Sequence, residues 1–396
     1  MKIVFVTDVI HAGGAETFLM RLAEQLKRNR HEVFIFVLHA DRINKELKYS
    51  LAPSVPLITI KIPLLYFWRK IDGLLYKLHL NISFLALFHS QSLKKFAKRN
   101  NIDIIHSHLF TSDIIAVKAV KKAGIPVVTT MHGDYLLYSA NKKALKPSRI
   151  SNYEVSLKGV LSYLKEIVCI TDEQHRQISA MKEKYQADFG IQKIYNGYSV
   201  VGGKKTLSRK DLDISPDSFV VGMVARGIRG KGWYELIEGF LHAGIPDSFL
   251  LLVGDGDFLQ QLRKQYSDCR NIKFIGSVIN PIDYIRLFDI ACLTSYFENL
   301  PTVIIEYLFC CKPVIASNKG EVSDMLLINT DKPCGILVEV EKPEKMIVEI
   351  ATAIRKFQAD KQLIARYVDN TKLAIIRFDM QNCTSQYENV YIRALS

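Results

Sequence analysis

Ser295-Tyr296-Phe297-Glu298-Asn299-Leu300-Pro301, running on through Thr302-Val303-Ile304-Ile305 to Glu306, is the most specific stretch of this chain. Immediately before it, Ile290–Leu293 is a short apolar run that reads as a strand. A loop therefore leaves a strand's carboxyl end and enters a helix near Pro301, a residue tolerated in a first helical turn. Helix N-termini carry unpaired backbone N–H groups and bind anions. Open α/β sheets bind ligands at this same end of their strands. Glu298 falls in the loop and Glu306 within the helix. Two carboxylates beside an anion site make sense if they accept hydrogen bonds from sugar hydroxyls while other groups neutralise the phosphates. The competing explanation is that both are simply solvated.

The neutralising groups are upstream. Val224-Ala225-Arg226-Gly227-Ile228-Arg229-Gly230-Lys231-Gly232 follows another strand-like run, Phe219–Val224. Glycines there let the backbone approach phosphate closely, and Arg226 with Lys231 can balance a diphosphate. Hydrogen bonds to charged groups contribute about 1.5–3 kcal/mol each. Gly254-Asp255-Gly256-Asp257 ends the run Phe249–Val253. Near the N-terminus, Gly13-Gly14-Ala15-Glu16 opens a helical pattern and is a second candidate anion cradle. His132-Gly133-Asp134 ends the run Pro126–Thr130.

Working outward, strand-like and helix-like segments alternate along the whole chain. Lys2–Val6, Phe34–Leu38, Asp103–His106, Pro126–Thr130, Ile167–Ile170 and Lys193–Tyr195 read as strands, with helical patterns at 15–28 and 112–123. The pattern restarts at Phe219–Val224 and continues through a helix at 234–243 and strands at 249–253, 272–275, 290–293 and 313–316. Such alternation predicts doubly wound parallel sheets. The length of 396 residues suits two such domains. The polar segment Gly197–Pro216 is the expected changeover, and Phe378–Leu395 is an expected terminal helix.

Composition narrows the function classes. With 48% hydrophobic and 23% charged residues, the chain is of ordinary globular type. No apolar run reaches the ~18 residues of a membrane span, and Ile3–Val6 is too short for a signal peptide. Seven cysteines without a C-x-x-C pair argue against a disulfide framework or zinc ribbon and lead to the expectation of a reduced, cytoplasmic protein. Residues 1–200 hold 29 Lys/Arg against 16 Asp/Glu, whereas residues 201–396 hold 24 of each. The whole excess of +13 thus lies in the first half, which points to an anionic partner. In that half, Ile58–Phe88 mixes Tyr66, Phe67, Trp68, Leu74, Leu75 and Tyr76 with Arg69, Lys70 and Lys77, and Lys94, Lys95, Lys98 and Arg99 follow. This composition fits a membrane interface and also a pair of core helices; the sequence leaves both open.

Taken together, Arg226 with Lys231, Gly254-Asp255-Gly256, and Glu298 eight residues before Glu306 resemble glycosyltransferase family 4. The resemblance extends over nearly the whole chain. Gly13-Gly14-Ala15-Glu16 is similar to the family's N-terminal loop, and Tyr195-Asn196-Gly197 to its interdomain Pro-Asn-Gly. Phe274-Ile275-Gly276 stands at its Phe-x-Gly turn, and Lys319-Gly320-Glu321-Val322-Ser323-Asp324 at its Gly-Gly-x-Pro-Glu turn. Gln386-Tyr387-Glu388 is similar to its closing helix. The resemblance implies the α/β GT-B fold: two Rossmann-like domains facing a central cleft, residues 1–197 for the acceptor and 198–377 for the nucleotide sugar. Residues 378–396 would form a helix crossing back to the first domain. It also implies roles. Arg226 and Lys231 would hold the donor diphosphate, Glu306 the ribose, and Glu298 the transferred sugar. The amides of Asn299 and Leu300 would hold a phosphate or hydroxyl, and His132 would touch the sugar and the acceptor. Gly14, Asp255 and Gly276 would complete the donor site.

Two departures stand out. Asn299 replaces a glycine, which is tolerable at positive φ because Asn is the next-best residue there. The Gly-Gly turn is reduced to Gly320-Glu321, with a carboxylate that could contact or repel a donor sugar. The expected activity is retaining transfer of a hexose or N-acetylhexosamine from a nucleotide-diphosphate sugar, UDP-linked by preference. The acceptor is a saccharide or polyprenyl-diphosphate-linked sugar, and the setting bacterial surface polysaccharide synthesis. The protein would work in the cytoplasm, peripheral on the inner membrane face. No cofactor is expected, since the nucleotide sugar is a co-substrate. No metal is expected either: Asp211/Asp213 lies in the linker, Asp255/Asp257 belongs to the glycine loop, and His106/His108 lacks an evident third ligand. Epimerase, phosphorylase and non-catalytic anion binder are the alternatives. Nucleic acid is disfavoured because the aromatics cluster with aliphatics instead of forming stacking platforms.

Overall fold

The computed structural model describes the chain apart from Ala12, His79, Asn81, residues 134–152, 200–206 and 329–330. Asp134 and part of the expected changeover segment therefore lie outside the described residues. Two compact units are present: Met1–Ser199 joined by Met380–Ser396, and Val200–Asp379.

The first unit is built on seven parallel strands: β1 (Lys2–Thr7), β2 (Glu32–Val37), β3 (Leu57–Thr59), β4 (Ile104–His108), β5 (Val127–Met131), β6 (Glu166–Cys169) and β7 (Gly190–Lys193). Their order is β3-β2-β1-β4-β5-β6-β7. Strands buried on both faces read as unbroken apolar runs, which is why they were legible. Along β1, Ile3 and Phe5 enter one core with Phe18, Leu22 and Tyr387, while Val4 and Val6 enter the other with Leu93, Ile105 and Ile115. Three readings shift. β7 lies earlier than Lys193–Tyr195. The helix expected at 112–123 is Phe110–Val120 followed by a 3-10 turn. β3, only three residues long, was missed.

The closing helix, Met380–Leu395, packs on this first sheet. It begins two residues later than expected because Ile375–Phe378 is a 3-10 turn. Tyr387 and Tyr391 are fully buried, and each hydroxyl is used. Tyr391 Oη lies 2.7 Å from His106 Nδ1, His106 Nε2 lies 2.8 Å from Thr130 Oγ1, and Thr130 Oγ1 lies 2.9 Å from Tyr387 Oη. This polar chain satisfies every buried group it contains, as burial demands.

The stretch 58–88 is packed in part and exposed in part. Trp68, on the helix Leu65–Lys77, packs against Phe84 and Phe88 at ring separations of 5.0 and 5.3 Å. Leu85, His89, Leu93 and Ala97 turn the next helix, Phe84–Asn100, onto the sheet. Tyr66, Phe67, Leu74 and Leu78, by contrast, are exposed, Tyr66 to 71% and Leu74 to 57%. No helix among the described residues is long and apolar enough to cross a membrane.

The second unit repeats the design with six parallel strands: β8 (Phe219–Val224), β9 (Ser248–Val253), β10 (Ile272–Gly276), β11 (Ile290–Leu293), β12 (Val314–Ser317) and β13 (Gly335–Val338). The order β10-β9-β8-β11-β12-β13 reverses direction between β8 and β11. Ligands of open α/β sheets bind outside the strand ends at such a switch point. β13 and the helices Pro343–Ala359 and Lys361–Ala374 were not anticipated. The first of these helices packs through Met346, Ile350, Ile354 and Phe357 into the core with Trp233, Leu236 and Phe240.

Candidate functional site

The two loops that carry the candidate residues leave β8 and β11, the strands flanking the switch point. As those strands part, the Val224 amide loses its ladder partner. Tyr307, fully buried, closes the gap: its hydroxyl accepts from Val224 N at 2.8 Å and donates to Cys292 O at 3.1 Å. Sequence reading missed this residue, because nothing in a helical tyrosine announces a bridge between strands.

The β8 loop is held from both sides. Trp233 Nε1 donates to Arg226 O at 2.8 Å. Thr294 Oγ1 donates to Gly232 O at 2.9 Å, and Tyr296 N to Gly230 O at 3.0 Å. The glycines serve backbone contact. Gly227 N donates to Asp255 O at 2.8 Å, and a Cβ on Gly227 would come within 2.6 Å of the Gly256 nitrogen. At Gly232, φ is +68° and a Cβ would meet Thr294 O at 1.9 Å, so no other residue fits without backbone movement.

This scaffold presents Arg226 exposed, with no ion-pair partner among the described residues. Lys231 and Glu298 are brought together, with Nζ 2.5 Å from Oε1 and both side chains largely buried. Glu298 therefore carries a cation as a close partner and is not merely solvated. Phe297, next to it, is 83% exposed. Glu306 is partly buried on the helix Thr302–Phe309, whose N-cap, Pro301, supplies no side-chain cap. Leu300 is buried and Asn299 exposed.

Three expectations are refined. Asn299 is not at positive φ, so its position makes no demand for glycine. The left-handed residue is instead Gly320, at φ +58°, on the loop after β12. Glu321 is buried and its amide donates to Asn299 O at 2.8 Å, so the reduced Gly-Glu turn supports the Glu298 loop. Asp255 turns onto its own loop, with Oδ1 accepting from Gly256 N at 2.8 Å and Gln260 Nε2 at 3.2 Å. Asp255 thereby ties the loop to the first turn of the helix Asp257–Gln265, whose N-cap is Gly256. Gly276, at φ +89°, accepts from Gly254 N at 2.8 Å and has open space where a Cβ would stand. A cavity of about 560 Å³ is lined by Arg229, Tyr234, Phe258, Gln261 and Tyr296 among others. Arg226, Lys231, Glu298 and Glu306 are not among its lining residues, so the site is recognised by its chemistry and strand ends, not by that cavity.

In the first unit, Gly14 begins the helix Gly14–Arg28. The Glu16 carboxylate folds over this N-terminus, where a Cβ on Gly13 would lie 2.3 Å from Oε2. His132 is partly exposed beyond β5. Its Nε2 lies 2.7 Å from His108 Nδ1, and burial lowers the pKa of His106, His108 and His132. The third member of the His106/His108 set is thus His132, but it is joined by a hydrogen bond. His106 uses both ring nitrogens on Tyr391 and Thr130, so the set is not arranged as metal ligands.

Asp8, just beyond β1, accepts from Ser112 Oγ at 2.6 Å. Burial raises its pKa to about 6 despite that bond. A carboxyl whose folded pKa exceeds its unfolded value of 3.8 favours folding when protonated. Its contribution is complete below pH 3.8 and lost as pH rises through 6. Urea midpoints for Asp8→Asn should therefore change less between pH 5 and pH 7 than wild type, to the advantage of the variant at pH 7; parallel profiles would refute this.

Two family models cover the chain: "Glycosyltransferase Family 4" over residues 12–199 and "Glycosyl transferases group 1" over residues 204–373. This chain belongs to glycosyltransferase family 4. The family 4 chain is 28% identical to the UDP-Gal:alpha-D-GlcNAc-diphosphoundecaprenol alpha-1,3-galactosyltransferase of Escherichia coli. That match spans 57% of this chain and 60% of the relative. Over 98% of its length it is 23% identical to a Campylobacter jejuni alpha-1,4-N-acetyl-D-galactosaminyltransferase named for a PP-undecaprenol substrate, with 97% of that protein covered. Among solved structures, Anabaena HepE in complex with UDP and glucose superposes with a TM-score of 0.74 at 20% identity, covering 98% of both chains. The fold of this family 4 glycosyltransferase is GT-B.

Proposed function

We propose that this glycosyltransferase moves a hexose or N-acetylhexosamine, with retention, from a UDP-sugar to a polyprenyl-diphosphate-linked saccharide during bacterial surface polysaccharide assembly. The observation that carries the reading is the convergence of Arg226, Lys231 and Glu298 on the strand ends at the β8/β11 switch point. The relatives named for diphosphoundecaprenol acceptors support the acceptor class. In this reading the donor diphosphate takes Lys231 from Glu298, and the released carboxylate turns to the hydroxyls of the transferred sugar. Arg226 adds a second cation on the phosphates. Glu306 accepts from the ribose hydroxyls, and the Asn299 and Leu300 amides hold a phosphate or hydroxyl. His132 meets a substrate hydroxyl. The acceptor attacks the donor's own face, and the departing phosphate takes its proton. Positioning and charge stabilisation supply the catalysis.

The test is a donor panel of UDP-, GDP-, ADP- and dTDP-sugars with EDTA present, read by thermal shift and slow donor hydrolysis. The reading expects stabilisation by the UDP series and hydrolysis that depends on the sugar. Stabilisation by another nucleotide, or none, overturns the donor assignment. Glu306→Ala should raise the donor Kd about tenfold, the scale of one hydrogen bond to a charged group; unchanged affinity would remove Glu306 from the site.

The acceptor's lipid fits the exposed face of the helix Leu65–Lys77. Phe67, Leu74 and Leu78 offer apolar contact, Lys70 sits over the Tyr66 ring at 4.7 Å, and Lys94, Lys95, Lys98 and Arg99 are exposed nearby in sequence. Each basic residue near an anionic surface contributes about 1 kcal/mol. The wild type should therefore pellet with acidic vesicles but not neutral ones. Reversing the four charges should abolish pelleting; if pelleting persists, those residues are not the contact.

A further inference from the structure

His108 is fully buried at the end of β4, and its hydrogen-bonding is incomplete. Nδ1 is 2.7 Å from His132 Nε2, whereas Nε2 has no partner among the described residues. The two rings are nearly parallel, at an interplanar angle of 15° with centroids 5.0 Å apart. Among the described residues, two phenylalanine rings flank this pair: Phe5 lies 5.6 Å from the His108 ring and Phe18 meets the His132 ring edge-on at 5.8 Å. His106, a further titratable ring against His108, is held by Tyr391 and Thr130. The chain turns immediately after His108 through Leu109, at φ +76°, a backbone state that is costly for a residue with a side chain. Strain of this kind persists only where the surroundings over-determine it.

A hydrogen bond between two imidazoles needs one donor and one acceptor, and only two neutral arrangements exist. If His132 donated from Nε2, His108 would accept at Nδ1 and carry its own proton on Nε2. That would bury an N–H with no acceptor, a state that proteins avoid more strictly than a bare acceptor. If His108 donates from Nδ1, the unpartnered Nε2 is a bare lone pair. His132 then accepts at Nε2 and must carry its proton on Nδ1.

We propose that His108 is a positioning residue that locks His132 in the Nδ1–H tautomer, so that a neutral imidazole offers an N–H to a substrate hydroxyl. This rests on the reading of His132 as a substrate contact. Burial keeps both rings neutral, so the offered group is a hydrogen-bond donor and not a positive charge. The difference matters because a protonated histidine would attract any anionic group, whereas a neutral N–H is satisfied by a hydroxyl acceptor.

The test needs no substrate at first. Histidine-selective 15N labelling of the full chain, with His132→Ala to assign its signals, reports which nitrogen carries hydrogen. The expectation is a protonated Nδ1 and a bare Nε2 on His132. His108→Asn, whose amide can donate from the place of Nδ1, should keep that pattern, while His108→Leu should release His132 toward the Nε2–H form. Donor hydrolysis should follow, with kcat down about tenfold in His108→Leu and within about threefold of wild type in His108→Asn, the scale of one hydrogen bond. A protonated Nε2 on wild-type His132 overturns the proposal, and so does an unchanged tautomer in folded His108→Leu. If the tautomers are as expected but His132→Ala turns over normally, the substrate-contact reading fails while the lock stands.

Discussion

Arg226→Ala should lower turnover by about 10²–10³-fold, the range for losing one preorganised charge stabiliser. The size follows from how the residue is held. Its carbonyl is pinned by the Trp233 indole at 2.8 Å, so the backbone cannot drift to let a neighbour substitute. Its guanidinium has no ion-pair partner among the described residues, so its charge is available to a ligand. Lys231 cannot take over, because once released from Glu298 it already serves the diphosphate as the first cation. The loss should fall on kcat more than KM if Arg226 acts on the charge that grows as the diphosphate departs. Donor hydrolysis with excess UDP-sugar measures it directly. Near-normal turnover would contradict the role, and a pure KM effect would reduce Arg226 to ground-state binding.

Gly320→Ala should disable donor binding and lower stability together. At φ +58° a side chain costs about 1–3 kcal/mol in backbone strain alone. The added Cβ would also stand 2.2 Å from Glu298 O and 2.5 Å from Asn299 O, backbone atoms that no rotamer change can move. Either the loop after β12 or the Glu298–Asn299 segment has to shift. The Glu321 amide bonded to Asn299 O makes it the shared hinge of that shift. Both the thermal midpoint and the UDP thermal shift should therefore fall. A variant that loses stability but keeps full UDP affinity would mean that the Glu298 loop holds its place without Gly320.

Legibility followed physical cause. β8 and β11 were read to the residue, because parallel strands buried on both faces leave continuous apolar runs bounded by turns. β3 and β13 were not: Leu57–Thr59 has only three residues, and Gly335–Val338, though as long as β11, opens on a glycine and is only partly buried along its middle. Arg226, Lys231, Glu298 and Glu306 stand out as candidates in the sequence because local chemistry and the strand–loop–helix context both mark them. Asp255 carried a family role in the resemblance, yet its carboxylate caps its own loop; which way an exposed aspartate turns depends on neighbours such as Gln260.

The sequence by itself determined the doubly wound architecture, the family, the candidate residues for a donor site and the basic first half. Each of these is written in short-range pattern and charge, which survive without coordinates. Tertiary structure alone decided which groups pair. It brought Lys231 to Glu298 across 67 residues, Gly320 under the Glu298 loop, His108 to His132, and Tyr391 to His106 across 285 residues. It also divided one aromatic stretch between a half-buried Trp68 packed on the next helix and the exposed Tyr66, Phe67, Leu74 and Leu78. Such pairings depend on strand order, and strand order is set by how the sheet closes its two cores, a cooperative property that no local stretch of chain contains.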